Sequence, residues 1–151
     1  MLRNKITETY KAAMHSRDQT AVSAVRLIMA ALKDKDINAR PRGIDQIPDA
    51  EILSMLQSMI KQRRESITMY QQGKRDDLVA KEQSEIDMIE KFLPQQMDAA
   101  AMAAAVDRAC AAVGAASIKD MGKVMNQLKE SYAGEMDFAA AGQLVKQKLG
   151  G

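Results

Sequence analysis

The sequence lacks several residue types that would point to particular classes of protein. It has no tryptophan, a single cysteine and a single histidine, and aromatic residues make up only 3% of its 151 positions. Because Cys110 is alone, no internal disulfide can form, which indicates a reducing compartment. No apolar run approaches the ~20 residues of a transmembrane helix, and the opening MLRNKITETY has no secretory apolar segment. These absences predict a soluble, cytoplasmic protein that does not bind a membrane.

Groups that carry catalysis are equally sparse. The only histidine, His15, lies near the end of a predicted helix and is expected to be exposed. The sequence has no His, Cys and carboxylate cluster with metal-ligand spacing, no glycine-rich phosphate loop and no Gly/Ser-rich scaffold for an amidase. Cys110 lies in AVDRACAAV, where a buried small side chain is expected rather than a nucleophile. The sequence therefore predicts no catalytic residue, no metal and no cofactor.

Methionine and balanced charge are what the composition does supply. Twelve methionines take the place of aromatic residues. They can fill irregular gaps in a core, which we favour, or form an adaptable binding face. The 22 basic and 20 acidic residues leave a net charge of +2, which is too small to identify a nucleic-acid-binding protein by itself. Any RNA site must therefore come from local arrangement.

Apolar residues recur at helical spacing along nearly the whole chain, and the alternation typical of strands is absent. The pattern predicts an all-α protein with helices at about residues 2–15, 19–38, 50–72, 76–93, 97–114, 118–132 and 138–149. Side chains in position to cap these helices are Asp18, Asp49, Asp76 or Asp77, Ser117 and Asp137. Pro94 marks the expected boundary between N-terminal helical hairpins of about four helices (residues 1–94) and a small C-terminal three-helix domain (residues 95–151).

The basic run KQRR at residues 61–64 raises the question of phosphate binding. In the third helix the apolar seam passes through Arg63, because steps of three and four residues lead from Ile60 to Arg63 and on to Ile67. The fourth helix places Glu82 and Glu85 on its inward side, at a similar height. We therefore predict that Arg63 forms an ion pair with Glu82 or Glu85.

The neighbouring basic residues of this run have a different expected role. Arg64 and Lys61 fall on the solvent side of the third helix. They are expected to be solvated, and contact with a partner is the alternative.

A second basic region lies in the sixth helix and beyond. Gly122 is predicted in the middle of a helix, where it costs about 1 kcal/mol relative to alanine. This cost suggests close approach, either by a packed helix, which we favour, or by a ligand backbone. A modest phosphate-binding patch is predicted from five lysines: Lys119, Lys123, Lys129, Lys146 and Lys148.

Three segments carry a resemblance to a known family. IKQRRESI, GKRDDLVAKEQSEIDMIEKFLPQQM and DMGKVMNQLK occur in this order and closely resemble the YqeY-like family over almost the whole chain. That family is similar to the C-terminal helical region of the B subunit of tRNA-dependent amidotransferases, which convert Glu-tRNA(Gln) or Asp-tRNA(Asn) to the amide form. The residues that match the family's motifs are Arg63, Arg64, Glu82, Glu85, Leu93 and Pro94, and Gly122, Lys123, Val124 and Met125.

This resemblance implies a helical module that holds tRNA or another RNA. It also implies amidotransferase or tRNA-synthetase components as partners, while catalysis occurs elsewhere. A family-level label of carbon–nitrogen ligase activity with glutamine as amido-N-donor would belong to the larger enzyme. Two alternatives remain at this point, a protein-interaction module without an RNA role and an enzyme that transfers amide nitrogen by itself. The sequence does not indicate an oligomeric state.

Overall fold

The helical periodicity of the sequence corresponds to seven α-helices in a computed structural model that describes residues 1–150. The described residues contain no strand, so the prediction of an all-α protein is confirmed. The helices are α1 (Leu2–His15), α2 (Gln19–Ala39), α3 (Asp49–Gln72), α4 (Asp76–Glu90), α5 (Ala99–Val113), α6 (Met121–Ser131) and α7 (Phe138–Gly150). Two short 3-10 turns, Arg40–Arg42 and Ile118–Asp120, follow α2 and precede α6.

Aspartate side chains fix the starts of three helices by accepting hydrogen bonds from backbone N–H groups of the first turn. The pairs are Asp18 with Ala21 at 3.1 Å, Asp98 with Ala101 at 2.7 Å and Asp137 with Ala139 at 2.9 Å. The caps predicted at Asp18 and Asp137 are therefore present, and Asp98 adds a third.

Other helix ends differ from the prediction. Asp49 is the first residue of α3 rather than its cap, and its carboxylate instead accepts the backbone N–H of Leu2 at 3.3 Å. The fourth helix ends at Glu90 and not at Leu93. Leu93 itself is disfavoured in the α conformation because it precedes Pro94. Ser117 is the cap residue that the sequence predicted, although the segment it caps begins as the 3-10 turn Ile118–Asp120 before continuing as α6.

The turn after α3 shows that a glycine does not always take the unusual backbone conformation. Gly73 ends α3 with φ of −84°, which any residue can adopt. The left-handed residue is Lys74, with φ of 56°. By contrast, Gly114 after α5 has φ of 63°, where glycine avoids the steric cost of a Cβ atom.

The chain divides into two compact units, one from Met1 to Pro94 and one beginning at Gln95. In the first unit, α3 packs against α4, α1 against α2, and α2 against α4. Its fully buried side chains include Ile6, Val25, Ile28, Ile52, Leu56, Ile86 and Ile89. In the second unit α6 packs against both α5 and α7, and the fully buried side chains include Val106, Val124, Leu128, Met136 and Val145.

Methionine serves mainly as a core residue, as the composition suggests. Four of the twelve methionines are buried: Met55, Met59, Met102 and Met136. Five more pack against the two cores while partly exposed: Met29, Met88, Met97, Met121 and Met125. Cys110 is also buried, 5% exposed, so it behaves as a small core residue.

Candidate nucleic-acid interface

Arg63 is held inside the first unit and does not face a ligand. Its Nε donates to Glu85 Oε2 at 2.9 Å, and its Nη1 donates to the backbone carbonyl of Met59 at 3.1 Å. The side chains of Arg63 and Glu85 are only 14% and 12% exposed. Of the two carboxylates that the sequence offered, Glu85 is therefore the partner and Glu82 is not. A guanidinium held in this way contributes to the stability of the α3–α4 contact.

The rest of the basic run lies on the surface. Arg64 Nη2 is 3.4 Å from Glu90 Oε1, and its side chain is 66% exposed. Lys61 is exposed and forms no ion pair with any residue that the structure describes. The run therefore divides into one internal cation and two surface cations, one of which already has a carboxylate neighbour.

A second inward ion pair, which the sequence did not reveal, joins α1 to α2. Both terminal nitrogens of Arg3 donate to the Asp36 carboxylate, at 2.9 and 2.6 Å. Arg3 also donates to the carbonyl of Ile47, and Asp36 accepts the Ile47 N–H at 2.9 Å. The hydrogen bond from Arg3 lowers the pKa of Asp36 and raises the pKa of Arg3 itself. Because the two residues are 33 positions apart on helices that differ in length, no local spacing could have predicted the pair.

The predicted lysine patch of the second unit does not form one surface. The structure ties Lys148 to the carboxylate of Asp107 on α5, and this contact raises the pKa of Lys148. Lys129 lies six residues after Lys123, about 120° away around α6. Lys148 and Lys129 are therefore not part of a common patch with the other three lysines.

The remaining three lysines gather around the start of α6. Lys119 lies in the 3-10 turn, Lys123 in the first turn of α6, and Lys146 on α7 beside Ile118 of the same 3-10 turn. All three are exposed, and none forms an ion pair among residues 1–150. We call Lys119, Lys123 and Lys146 the lysine face.

Gly122 lies within the lysine face, and its surroundings correct the expectation of a packed helix. It is the second residue of α6 rather than a mid-helix position, and it is exposed. A Cβ atom added there would meet no atom within 4 Å. No helix therefore approaches this backbone closely, and the favoured interpretation of the glycine is wrong. The open space leaves room for a ligand at this position.

Asp120 is the acidic group of this region. Its carboxylate accepts the backbone N–H groups of Ala116 at 2.9 Å and Ser117 at 3.3 Å. These hydrogen bonds lower the pKa of Asp120, with a smaller contribution from nearby Lys123. The carboxylate stays ionised at neutral pH and offsets part of the positive potential of Lys123.

Residues 1–150 contain no group of three or more His, Cys, Asp or Glu side chains placed to hold a metal ion. No single helix in that range is both long and apolar enough to cross a membrane. One pair of helical segments together reaches the length and apolar composition of a membrane span, but the two are bent by 95° relative to each other: Ala99–Val113 and Ile118–Ser131.

Comparison with curated proteins identifies relatives in fungi. The chain is 38% identical over 85 residues to "Altered inheritance of mitochondria protein 41, mitochondrial" of Saccharomyces cerevisiae strain YJM789, a match that covers 56% of this chain and 44% of the relative. Proteins with the same name match at 35% over 88 residues in Eremothecium gossypii (58% and 46% covered) and at 33% over 85 residues in Lachancea thermotolerans (56% and 44%). The chain thus spans less than half the length of these relatives.

These names contradict one expectation from the sequence. The single cysteine and the absence of a secretory segment predicted a cytoplasmic protein, but the relatives are all named as mitochondrial proteins. Mitochondrial and cytoplasmic proteins share the features from which the location was inferred, so those features cannot distinguish the compartments. The cytoplasmic assignment is therefore withdrawn.

The family assignment rests on a longer match than any of these relatives. The family model described as Yqey-like protein matches residues 3–149. This range includes all seven helices apart from the first residue of α1 and the last residue of α7. Both units are covered, and so are the three motifs in which the resemblance was first seen. The chain belongs to the YqeY-like family.

Proposed function

We propose that this chain is an accessory RNA-binding module, with tRNA as the class of RNA, and that it has no active site of its own. In this proposal the N-terminal helical hairpins, residues 1–94, and the C-terminal three-helix domain, residues 95–151, are separate domains. The second domain contacts RNA phosphates through the lysine face. Within the basic run of the first domain, Arg63 serves to hold the helices together, and Lys61 and Arg64 lie on the surface.

The single observation that supports this proposal most is the state of the lysine face. Its three ammonium groups are exposed and form no ion pair among the described residues, and only the potential of Lys123 is partly offset, by Asp120. Their charges are therefore largely available to phosphate. Gly122, between Lys119 and Lys123, offers an open backbone where a side chain would obstruct a phosphate group. Phosphate contacts of this kind give affinity and position and do not read sequence.

The proposal includes protein partners, because an accessory module needs an enzyme to serve. The family's similarity to the tail of an amidotransferase B subunit makes amidotransferase or tRNA-synthetase components the partners that we propose. Carbon–nitrogen ligase chemistry with glutamine as amido-N-donor would then belong to the assembled enzyme.

A low-salt titration of tRNA tests the proposal. We expect the wild-type chain to bind labelled tRNA in fluorescence anisotropy, and its affinity to fall as salt rises, because each phosphate contact releases counterions. The variant Lys119→Glu/Lys123→Glu should bind tRNA about ten-fold more weakly than the wild type, or lose binding altogether. A matched control, Lys33→Glu/Lys129→Glu, changes net charge equally but lies outside the lysine face.

The outcomes separate the parts of the proposal. Absence of tRNA binding at low salt would contradict the RNA function itself. An equal loss of affinity in both double variants would show that only net charge matters. It would contradict the proposal that the lysine face is the RNA-binding surface.

Protein interaction without RNA is a second candidate, and one observation favours it. The first unit exposes several large apolar side chains, among them Met14 at 53% and Met69 at 70%. Where such side chains lie together in one patch, they mark a protein contact surface. A stable partner recovered by crosslinking, with a yield that nuclease treatment leaves unchanged, would support this candidate over the first.

A further inference from the structure

A shallow surface depression lies beside the lysine face. It has a volume of about 520 Å³ and is lined by Ile118, Lys146, Gln147 and Gly150. Clefts that bind small ligands have volumes of about 300–1,000 Å³. Ile118 is an apolar side chain that remains 44% exposed in this depression, although its neighbours Val124 and Leu128 in the same unit are fully buried. We call this feature the Ile118 depression.

The lining is mostly apolar. Ile118 offers an aliphatic contact for an uncharged ring, and the depression lies at the last turn of α7. Gln147 adds an amide that can donate to and accept from the edge of a base. A phosphate group would lose its hydration against such a lining, which costs far more than burying an uncharged ring.

The rim has the opposite character. Lys146 belongs to the depression and to the lysine face, and Lys119 is the next residue after Ile118. The surface thus changes from apolar contact inside to ammonium groups outside. A nucleotide has the complementary arrangement, with an uncharged ring linked to an anionic phosphate.

We propose that the Ile118 depression receives one unpaired base of an RNA whose adjacent phosphates contact the lysine face. This inference rests on the proposed RNA function and specifies it further. In a continuous duplex the bases are stacked and paired, so none could enter the depression, and the deep groove of A-form RNA keeps base edges from side chains. The chain therefore selects RNA with a loop, bulge or free end over uninterrupted duplex.

Gly150 provides a test that leaves all charges unchanged. A Cβ atom at this position would lie 4.0 Å from Ile118 Cδ1, which is an ordinary van der Waals contact. Gly150→Ala should therefore be accommodated with the depression still open. Gly150→Leu extends a larger side chain from the same point, next to Ile118, and should fill the depression.

The experiment compares two RNAs of equal length and charge, a hairpin with an unpaired loop and a blunt duplex, by anisotropy at low salt. We expect the wild-type chain and Gly150→Ala to bind the hairpin about ten-fold more tightly than the duplex, as burial of about 50–60 Å² of apolar surface would predict. Gly150→Leu should lose this preference while keeping its affinity for the duplex. Ile118→Ser should also reduce the preference, and it serves as a second variant if Gly150→Leu does not fold, which circular dichroism would show.

Failure of this inference differs from failure of the proposed function. If the wild type binds neither RNA, the RNA function itself is overturned, and this inference with it. If it binds hairpin and duplex equally, in a salt-dependent way, the function stands and the inference is overturned. A hairpin preference that persists in both folded Gly150→Leu and Ile118→Ser would also overturn the inference, because the unpaired base would then lie elsewhere.

Discussion

In the first unit, Arg63 and Arg3 each hold a carboxylate of a neighbouring helix, whereas in the second unit the lysines of the lysine face extend into solvent. The side chains of the pairs Arg63–Glu85 and Arg3–Asp36 are between 12% and 21% exposed. The ion pair of the second unit, Lys148 with Asp107, has side chains that are 42% and 65% exposed. The core of the second unit is lined by apolar residues alone.

This comparison shows that the number of basic residues does not indicate how many cations are left without a carboxylate partner. The first unit contains the conspicuous run KQRR, and five of its eight arginines form ion pairs. The second unit has equal numbers of basic and acidic residues, six of each, yet keeps three neighbouring lysines unpaired. Pairing, rather than net charge, decides which cations are available to phosphate.

The largest effect that would test this contrast is expected for Arg63→Ala. Because the variant leaves Glu85 mostly buried without its partner, it should reduce the stability of the α3–α4 region by about 3 kcal/mol. Hydrogen exchange measured by mass spectrometry resolves the two units, which a single unfolding curve would not. Peptides of α3 and α4 should lose protection, and peptides of α5–α7 should not change.

A paired replacement supplies the control. Arg63→Met/Glu85→Leu removes both charges and replaces them with apolar side chains of similar size, so it should recover most of the lost protection. Normal exchange in α3 and α4 of Arg63→Ala would mean that the ion pair contributes little, and the distinction between the units would weaken.

The inward position of Arg63 could be predicted from the sequence because the apolar seam of α3 passes through it and a short connection brings α4 alongside. The same reasoning could not find the pair of Arg3 with Asp36, since it depends on how two helices of unequal length align. The expectation for Gly122 is wrong because a glycine's cost within a helix indicates a compensating gain but not what lies nearby. All five lysines of the predicted patch are exposed. The separation of Lys148 from the others depends on its contact with Asp107, which only the packing of α7 on α5 reveals.

The next largest effect concerns Asp36, and it should depend on pH. Arg3 lowers the pKa of Asp36 below its ordinary value of 3.8, so the folded state favours the ionised carboxylate. This contribution to stability is fully present above pH 3.8 and is lost as the pH falls through the lower pKa of the folded state. Asp36→Asn should therefore destabilise the first unit at pH 7 by about 2 kcal/mol, as expected for lost hydrogen bonds to charged groups.

Hydrogen exchange in α1 and α2 at several pH values would check this expectation. The difference between wild type and Asp36→Asn should stay constant down to about pH 3.8 and shrink as the pH is lowered further. A difference that stays constant from pH 7 to pH 3 would show that the carboxylate's charge is not what stabilises this contact.

A smaller effect of opposite sign is expected in the second unit. Gly122 has ordinary helical geometry, and an added Cβ atom would meet nothing within 4 Å. Gly122→Ala should therefore stabilise α6 by about 0.5–1 kcal/mol, because alanine loses less conformational freedom on folding. Slower exchange in α6 peptides would confirm this, and the tRNA titration of the same variant would show whether the open backbone is needed for binding. Destabilisation of α6 would mean that this backbone is more restricted than the structure shows.

The smallest effect is expected for Arg64→Ala, which sharpens the comparison within one stretch of sequence. Arg64 is next to Arg63, but its contact with Glu90 is 3.4 Å long and its side chain is 66% exposed. Exposed pairs of this kind contribute about 0–1 kcal/mol, so exchange in α3 and α4 should change little. If Arg64→Ala were as destabilising as Arg63→Ala, the basic run would act as one structural unit. Adjacent positions with very different effects would instead show that helix register alone separates a cation that supports the fold from one left at the surface.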